Sequence, residues 1–355
     1  MDTLLYIILA IFLFGVLIFT HELGHYLFAR LFKVTIHEFS IGMGKSIYTK
    51  TSQKTNITYS LRILPFGGYV SMAGENEESE DPNALSKKPA YQRFIIVCAG
   101  AVINLLIGLI LMFCLVASTT DNGVATNQVY GYAQDPSYTV TSDEYGISAG
   151  DIIIKVGGAR TNNAYDVSYQ IMRRGTKPVD LTVIRDGNEI VLRDVCFPTY
   201  VSNGTKFGNM DFIVVATEPT PINILKHTAQ RSMLTVRMVW ESLIDLISGR
   251  YGVESVQGPV GITGTIVDAT DEAVETNDYS SVIYIAAVIC INLGVMNLLP
   301  IPALDGGRLF FILIEMIFRK PVPQKIEGRI HATGMYVLML FMLFISLKDI
   351  WKLIF

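Results

Sequence analysis

The residues with the clearest chemical potential are two histidines and a glutamate that follow an apolar stretch. His21, Glu22 and His25 form the pattern His-Glu-x-x-His just after residues 4–19, which carry no charged side chain. On a helix, residues four positions apart lie on one face, about one turn apart. Two imidazoles placed in this way can bind a zinc ion, and the glutamate beside them can take a proton from a water molecule at the metal. The pattern therefore indicates hydrolytic chemistry inside a membrane.

A structural role for these three residues is the main alternative. On a soluble helix, a pattern this short also arises by chance on the solvated face. An ionisable group at the centre of a membrane helix costs about 2.5 kcal/mol or more, so such groups are interpreted as functional by default. The apolar setting therefore favours the chemical role.

A catalytic zinc site usually has a third protein ligand, and Asp305 is the candidate for it. It follows Pro300 and Pro302 in a segment that begins at Asn297 and reads Asn-Leu-Leu-Pro-Ile-Pro-Ala-Leu-Asp-Gly-Gly. The two prolines end a helix and free backbone groups, which membrane depth tolerates only where protein or a wet cavity satisfies them. A carboxylate at such a point could turn inward to a metal. The alternative is a simple cytoplasmic loop with a turn-forming Asp-Gly pair.

The composition is that of an integral membrane protein. Of the 355 residues, 50% are hydrophobic and only 17% are charged, and the mean hydropathy is +0.40. A net charge of −4 gives no reason to expect a nucleic-acid partner. The four cysteines, of which three lie in apolar segments, indicate neither a disulfide framework nor a cysteine zinc site.

The hydropathy predicts an α-helical polytopic membrane protein with four transmembrane helices, since each needs roughly 20 apolar residues. Lysines and arginines cluster between the first and second spans and between the third and fourth. By the positive-inside rule, these two connections face the cytoplasm, and the N-terminus and the long segment after the second span face the other side. We divide the chain into a first span (1–32), a membrane-associated β-region with a linker (33–92), a second span (93–118), an extracytoplasmic domain (119–204), an amphipathic, more irregular connector (205–281), an interrupted third span (282–318), a cytoplasmic loop (319–333) and a fourth span (334–355).

The segment 119–204 resembles a PDZ domain of α+β type. Its pattern Gly-Ile-Ser-Ala-Gly-Asp-Ile-Ile-Ile-Lys-Val-Gly-Gly over residues 146–158 precedes a helical stretch at 164–172 and a strand that enters a turn at Asp186 and Gly187. PDZ domains capture chain ends by strand addition. The resemblance implies that this domain could bind a new C-terminus. The alternative is a small β-rich domain without that function.

Taken together, the motifs resemble the site-2 protease family of intramembrane zinc metalloproteases, in particular the bacterial branch typified by the regulator of sigma-E protease (RseP). The resemblance combines His-Glu-x-x-His in the first span with Asn-x-x-Pro-x-Pro-x-Leu-Asp-Gly-Gly in the third. Further matches are Pro-Phe-Gly-Gly-Tyr-Val at 65–70, Gly100 and Asn104 in the second span, and Gly-Pro-Val-Gly-Ile at 258–262. Two departures are a single PDZ-like domain, where some relatives have two, and Ala101, where a proline is frequent.

The resemblance implies a role for each matching residue. It implies that His21, His25 and Asp305 bind Zn²⁺, and that Glu22 is the general base. It also implies substrate contacts from Asn297, Pro300 and Pro302. The expected substrates are single-span membrane proteins, such as anti-sigma factors, or remnant signal peptides. The expected location is the inner (plasma) membrane of a bacterium, with the N-terminus and the PDZ-like domain extracytoplasmic.

Two other classes of function compete with this interpretation. Histidines and aspartates within membrane helices also build transport pathways, but the second and fourth spans are almost purely apolar. An inactive scaffold that uses only its PDZ-like domain would have no physical need for Glu22. The remaining histidines, His37, His227 and His331, have no partners at ligand spacing, and we interpret them as ordinary surface or interface residues.

Overall fold

The structure is a computed structural model that contains eight α-helices and ten strands within its described residues. The residues described are 2–75, 79–118, 123–132, 140–202, 204–250, 252 and 256–354. The helices are α1 (Asp2–Leu31), α2 (Ala90–Ser118), α3 (Ala164–Arg174), α4 (Pro221–Ile247), α5 (Pro259–Thr276), α6 (Ser280–Leu298), α7 (Asp305–Phe318) and α8 (Gln324–Ile354). The strands are β1 (Ile36–Thr51), β2 (Thr58–Met72), β3 (Val124–Tyr132), β4 (Ile152–Val156), β5 (Ala159–Arg160), β6 (Val179–Arg185), β7 (Asn188–Val195), β8 (Thr199–Ser202), β9 (Thr205–Gly208) and β10 (Phe212–Thr217).

These elements form two compact units. The first unit comprises Met1–Leu111 and Gln257–Phe355, and the second comprises Met112–Val256. The first therefore brings together the two ends of the chain, which carry the two motifs, and the second contains the segment that resembles a PDZ domain.

Four helices are long and apolar enough to cross a membrane, which confirms that part of the predicted architecture. The candidate spans are Ile8–Leu31, Ala90–Ser118, Ser280–Leu298 and Gln324–Lys352. The predicted interruption of the third span is also present, because α6 ends at Leu298 and α7 begins at Asp305. Pro300 and Pro302 lie between the two helices and prevent one continuous helix.

Two segments differ from the sequence prediction. The predicted cytoplasmic loop at 319–333 is shorter, because α8 begins at Gln324. The first turns of α8 are polar, so the hydropathy did not assign them to the fourth span, but they still form a helix. The predicted irregular connector at 205–281 is instead largely ordered into β9, β10, α4 and α5. Both helices begin with proline, at Pro221 and Pro259, a residue that suits the first helical turn.

The predicted β-region is a long antiparallel hairpin of β1 and β2. Phe39 of β1 pairs with Val70 of β2, and the strands stay paired out to Thr51 and Thr58. One face of the hairpin packs on α1, where the ring of Tyr26 lies 5.1 Å from that of Phe39. The hairpin is therefore held against the helix that carries the histidines by a buried cluster of Tyr26, Ala29, Val34, Ile36, Phe39, Ile57, Val70, Met72, Leu85 and Ile96.

The second unit is built around a sheet in which the longer strands have the order β10-β3-β4-β6-β7. The predicted turn joins β6 to β7, and Asp186 and Gly187 both have positive φ, 50° and 80°. The helix α3 packs against β3 and β4. The predicted end of this domain at residue 204 is too early, because β10 pairs antiparallel with β3. The core consists of Val129, Ile147, Ile153, Val156, Val167, Ile171, Val179, Leu181, Val183, Val195, Phe197 and Phe212.

A buried ion pair attaches α4 to this second unit. Arg173 of α3 donates to both carboxylate oxygens of Asp245 on α4, each at 2.7 Å. Both side chains are buried. The bidentate geometry satisfies charges that would otherwise be costly to remove from water. The helix α4, which lies in the predicted amphipathic connector, therefore has one face packed on α3.

Candidate metal centre

The two histidines of the first motif lie side by side on α1. Their Nε2 atoms are 3.2 Å apart, and only 8% of His21 and 7% of His25 is exposed. Residues four apart on a helix face one direction, so the local sequence is sufficient to bring these rings together. Two nitrogen donors thus converge at one point within the candidate span Ile8–Leu31.

Asp305 supplies an oxygen donor to the same point. Its Oδ2 atom lies 3.0 Å from Nε2 of His21 and 3.1 Å from Nε2 of His25. The aspartate is 280 positions from His25 along the chain, so tertiary structure alone creates this proximity. The structure therefore brings all three predicted ligands together.

The three donors fit a divalent metal such as zinc. Their ligand atoms lie within 4.8 Å of one another. Zinc–ligand bonds are about 2.0–2.2 Å long, so neighbouring ligand atoms of a tetrahedral site are separated by roughly 3.3 Å. The separations of 3.0–3.2 Å in the structure are close to that value. Two imidazoles and one carboxylate leave the fourth position for water or substrate.

A tight turn between α6 and α7 positions Asp305. The residue that follows, Gly306, packs so closely that a Cβ atom there would lie 1.9 Å from the carbonyl oxygen of Leu299. A Cβ on Gly307 would lie 2.7 Å from the carbonyl oxygen of Ile301. No side chain fits at either position, because real Cβ atoms do not approach backbone so closely. The Gly-Gly pair after Asp305 is therefore needed for the close return of the chain.

The backbone of α2 orients His25. Its Nδ1 donates a hydrogen bond of 2.9 Å to the carbonyl oxygen of Ile96, a buried contact. With the proton on Nδ1, Nε2 presents its lone pair to the other donors, as a metal ligand must. Gly100 makes this approach possible, since a Cβ there would lie 2.4 Å from Nε2 of His25 and 2.8 Å from Cε1 of His21.

Asn104 contacts the opposite side of His21. Its amide nitrogen lies 3.4 Å from Nδ1 of His21, and its amide oxygen accepts a 3.4 Å hydrogen bond from the hydroxyl of Thr20. The residue is fully buried. Asn104 therefore restricts the orientation of the His21 ring at Nδ1, as the carbonyl of Ile96 does for His25.

Glu22 lines the same cavity as His25 and Asp305, which has a volume of about 540 Å³. The strand β2 lies against this glutamate, because a Cβ on Gly68 would lie 3.1 Å from Cγ of Glu22 and 2.9 Å from the carbonyl oxygen of Ser40. The glycine at position 68 therefore lets the hairpin pass close beside the carboxylate.

Among the described residues, those that line this cavity do not include the three predicted substrate-contacting residues. Asn297 is buried near the end of α6, with 8% of its surface exposed. Pro300 is exposed and Pro302 is half-buried. Pro302 packs against α8, where a Cβ on Gly334 would lie 2.4 Å from Cβ of Pro302. The structure thus places Asn297 in the last turn of α6 and the two prolines on the turn before Asp305. Their contact with a substrate stays a prediction.

Two interpretations of the remaining histidines were wrong. His331 is half-buried on α8 and accepts a 3.2 Å hydrogen bond from the backbone N–H of Ala303. His227 is buried on α4, and this burial, with the nearby charge of Lys226, lowers its pKa. His37 is exposed, as expected. Neither position carries a local signal in the sequence, because Nδ1 of His331 contacts a distant turn and the burial of His227 depends on tertiary packing.

The described residues thus form an integral membrane protein with a buried centre of two histidines and an aspartate. The chain belongs to peptidase family M50, whose model matches residues 9–341. It is 35% identical over 354 residues to a Fusobacterium nucleatum protein named "Putative zinc metalloprotease FN1322", covering 98% of each chain. It is 26% identical over 429 residues to "Regulator of sigma-W protease RasP" of Bacillus subtilis, covering 98% of each. It is 26% identical to "Zinc metalloprotease RasP" of Shouchella clausii, covering 96% of this chain and 97% of that protein.

Proposed function

We propose that the protein is a zinc metalloendopeptidase that hydrolyses peptide bonds within transmembrane segments. The observation that carries this proposal is the convergence of His21, His25 and Asp305 at mutual distances of 3.0–3.2 Å. Membership of peptidase family M50 and the names of the two RasP proteins support it. The same observations argue against the two competing classes, a metal transporter and an inactive scaffold.

The roles of the residues follow from their chemistry. His21, His25 and Asp305 would hold the zinc ion, which when bound lowers the pKa of a water molecule to about 7 and polarises a carbonyl group. Glu22 accepts a proton from the attacking water and passes it to the nitrogen of the departing amine. Ile96 and Asn104 keep the two imidazoles in orientation. The hydrolysis therefore needs one base and three metal ligands. The three ligands converge at one point, and Glu22 lines the cavity that contains two of them, His25 and Asp305.

The substrates we propose are single-span membrane proteins, such as anti-sigma factors, or remnant signal peptides. A helical substrate must unwind before cleavage, because its carbonyl groups are enclosed in helical hydrogen bonds. Asn297 can pair with backbone groups that unwinding frees, while Pro300 and Pro302 shape the turn beside it. The hairpin of β1 and β2, which borders Glu22, can add a strand to an extended segment. We place the protein in the bacterial plasma membrane, with the second unit outside the cytoplasm.

The experiment that tests the proposal separates metal binding from chemistry. In Glu22→Gln, zinc content should stay at the wild-type level while cleavage of a single-span substrate in detergent is abolished, because only the base is lost. In His21→Phe, zinc and cleavage should both be lost. The matched control is Glu144→Gln, an exposed glutamate of the second unit, which should cleave normally. Wild-type cleavage by Glu22→Gln would remove the general-base role.

Asn297 has a separate test, since its role concerns the substrate and not the metal. Asn297→Ala should retain zinc but cleave a helical transmembrane substrate more slowly than wild type. A substrate already destabilised by helix-breaking residues should be less affected, because it exposes its backbone without help. Equal cleavage of the helical substrate by Asn297→Ala and wild type would contradict this role.

A further inference from the structure

His331 lies beside the metal centre but belongs to none of the motifs. It is on α8 and lines the cavity that also contains Glu22, His25 and Asp305. It also lines a second cavity of about 520 Å³, which shares Glu75, Val97, Arg308 and Gly328 with the first. His331 therefore lies where the two cavities meet.

The contact that His331 makes is with a strained part of the backbone. Ala303 has a φ of 82°, in the left-handed region that residues other than glycine seldom adopt. Such a conformation persists only where the surroundings impose it. The backbone N–H of Ala303 donates to Nδ1 of His331 at 3.2 Å. This hydrogen bond is therefore one of the forces that keep Ala303 in its conformation.

The same face of α8 contacts the turn on both sides of Ala303. A Cβ on Gly307 would lie 3.0 Å from Cε1 of His331, and the ring of Phe311 is 6.0 Å from that of His331. On the other side, Pro302 packs against Gly334, with 2.4 Å between Cβ of the proline and a Cβ built on the glycine. The turn therefore rests on α8, and His331 is the polar contact within that surface.

Ala303 lies two residues before Asp305, so its φ sets the direction in which the aspartate leaves the turn. We propose that His331 is a positioning residue, which holds Ala303 in the left-handed conformation and thereby directs the Asp305 carboxylate toward His21 and His25. It acts through the backbone and does not touch reacting atoms. The inference rests on the proposed function, because it assumes that Asp305 is a zinc ligand.

The test is a set of variants that keep or remove the hydrogen-bond acceptor at position 331 and the positive-φ strain at position 303. His331→Leu removes the acceptor, and His331→Asn keeps an oxygen near the position of Nδ1. Ala303→Gly removes the penalty for positive φ, so the turn depends less on the hydrogen bond. Tyr336→Leu, an exposed position of α8, is the control for substitution in that helix. Zinc retention against a chelator, cleavage rate and thermal unfolding are measured on the full chain in detergent.

His331→Leu should lower the zinc affinity by about 10- to 100-fold, as for other groups that orient a metal ligand. His331→Asn should retain most of the zinc affinity. His331→Leu should lower the zinc affinity much less when it is combined with Ala303→Gly than when it is introduced alone. A purely structural role would instead lower the unfolding temperature equally in both backgrounds. Wild-type zinc affinity in His331→Leu, or an equal loss with and without Ala303→Gly, would overturn the inference. If the wild-type protein itself bound no zinc, the proposed function would fail instead.

Discussion

At the scale of single residues, the metal centre depends on close contact between α1 and the backbone of α2. The imidazoles of His21 and His25 lie where a Cβ atom on Gly100 would project. Gly24 packs on the same surface, since a Cβ there would lie 2.6 Å from the carbonyl oxygen of Ala99. Small residues allow such close approach of membrane helices. The histidines can therefore occupy this position only because Gly100 and Gly24 have no Cβ atom.

Gly100→Ala should disrupt the centre although it adds only one methyl group. The new Cβ would overlap Nε2 of His25, 2.4 Å away, so the ring must move out of reach of its partners. We expect loss of zinc by at least the roughly 10- to 100-fold that follows removal of a group orienting a ligand, and loss of cleavage. Metal analysis after equilibration with a chelator measures the effect.

The matched control for this substitution is Gly264→Ala on α5. A Cβ at Gly264 meets no atom within 4 Å, and alanine is favoured over glycine in a helix by roughly 0.8–1.0 kcal/mol. This control should retain zinc and be as stable as wild type or more so. If Gly100→Ala bound zinc as tightly as Gly264→Ala, the steric explanation would be wrong.

How much of the centre could be predicted differs from residue to residue. The pairing of His21 with His25 follows from the helical repeat alone. Asp305 could be assigned only as a candidate from its setting and through the resemblance, because nothing local joins positions 280 apart. The contacts made by the carbonyl of Ile96 and by Nδ1 of His331 could not be predicted, since each joins residues that are far apart in the chain.

At the scale of elements, α8 is joined to the beginning of α5 by a carboxylate. Oδ2 of Asp349 accepts hydrogen bonds from the backbone N–H groups of Gly258, at 2.8 Å, and Gly261, at 3.0 Å. The first groups of a helix have no partners within it, and a negative charge there is favourable. Asp349 thus acts as an N-terminal cap that comes from another helix.

Asp349→Ala should destabilise the first unit, because it leaves the buried N–H group of Gly258 and the partly buried one of Gly261 without this acceptor. Loss of a helix cap typically costs about 1 kcal/mol, and an unsatisfied buried donor about 1–3 kcal/mol. The unfolding temperature in detergent should fall, while Asp268→Ala, an exposed position of α5, should leave it unchanged. Equal unfolding temperatures of these two variants would show that the cap contributes nothing.

The main sheet of the second unit has β10 at one edge. Peptide-binding modules of the PDZ type add a chain end to an exposed strand. Here β3 lies between β10 and β4 in the sheet, and it pairs with β10 along one edge. The helix α3 packs against β3 and β4. A chain end cannot add to β3 while β10 is paired there. We therefore expect capture of a chain end at β3 only after β10 leaves.

Val214→Pro provides the test, because proline removes a backbone donor from the strand that pairs Val214 with Val129. A peptide with a photo-crosslinking group near its C-terminus should react with β3 in this variant and not in the wild-type full chain. Crosslinking to β3 at equal yield in both proteins would contradict the prediction.

At the scale of the whole molecule, the two motifs and the segment that resembles a PDZ domain belong to different units. Both motifs lie in the first unit, which combines the two ends of the chain, while residues 112–256 form a unit of their own. Hydropathy predicted the four membrane helices, because span length and composition are local properties. It did not predict that residues after 204 complete the sheet, since the pairing of β10 with β3 is a long-range contact. Local periodicity contains no information about such partners.

X-ray absorption at the zinc edge measures whether His21, His25 and Asp305 hold one zinc ion. The purified full chain should contain one zinc per molecule, with nitrogen and oxygen ligands at about 2.0–2.2 Å and the scattering pattern of two imidazoles. Asp305→Ala should lose the metal, because it removes one of the three protein ligands. Sulfur at about 2.3 Å, or an unchanged spectrum and zinc content in Asp305→Ala, would contradict the account.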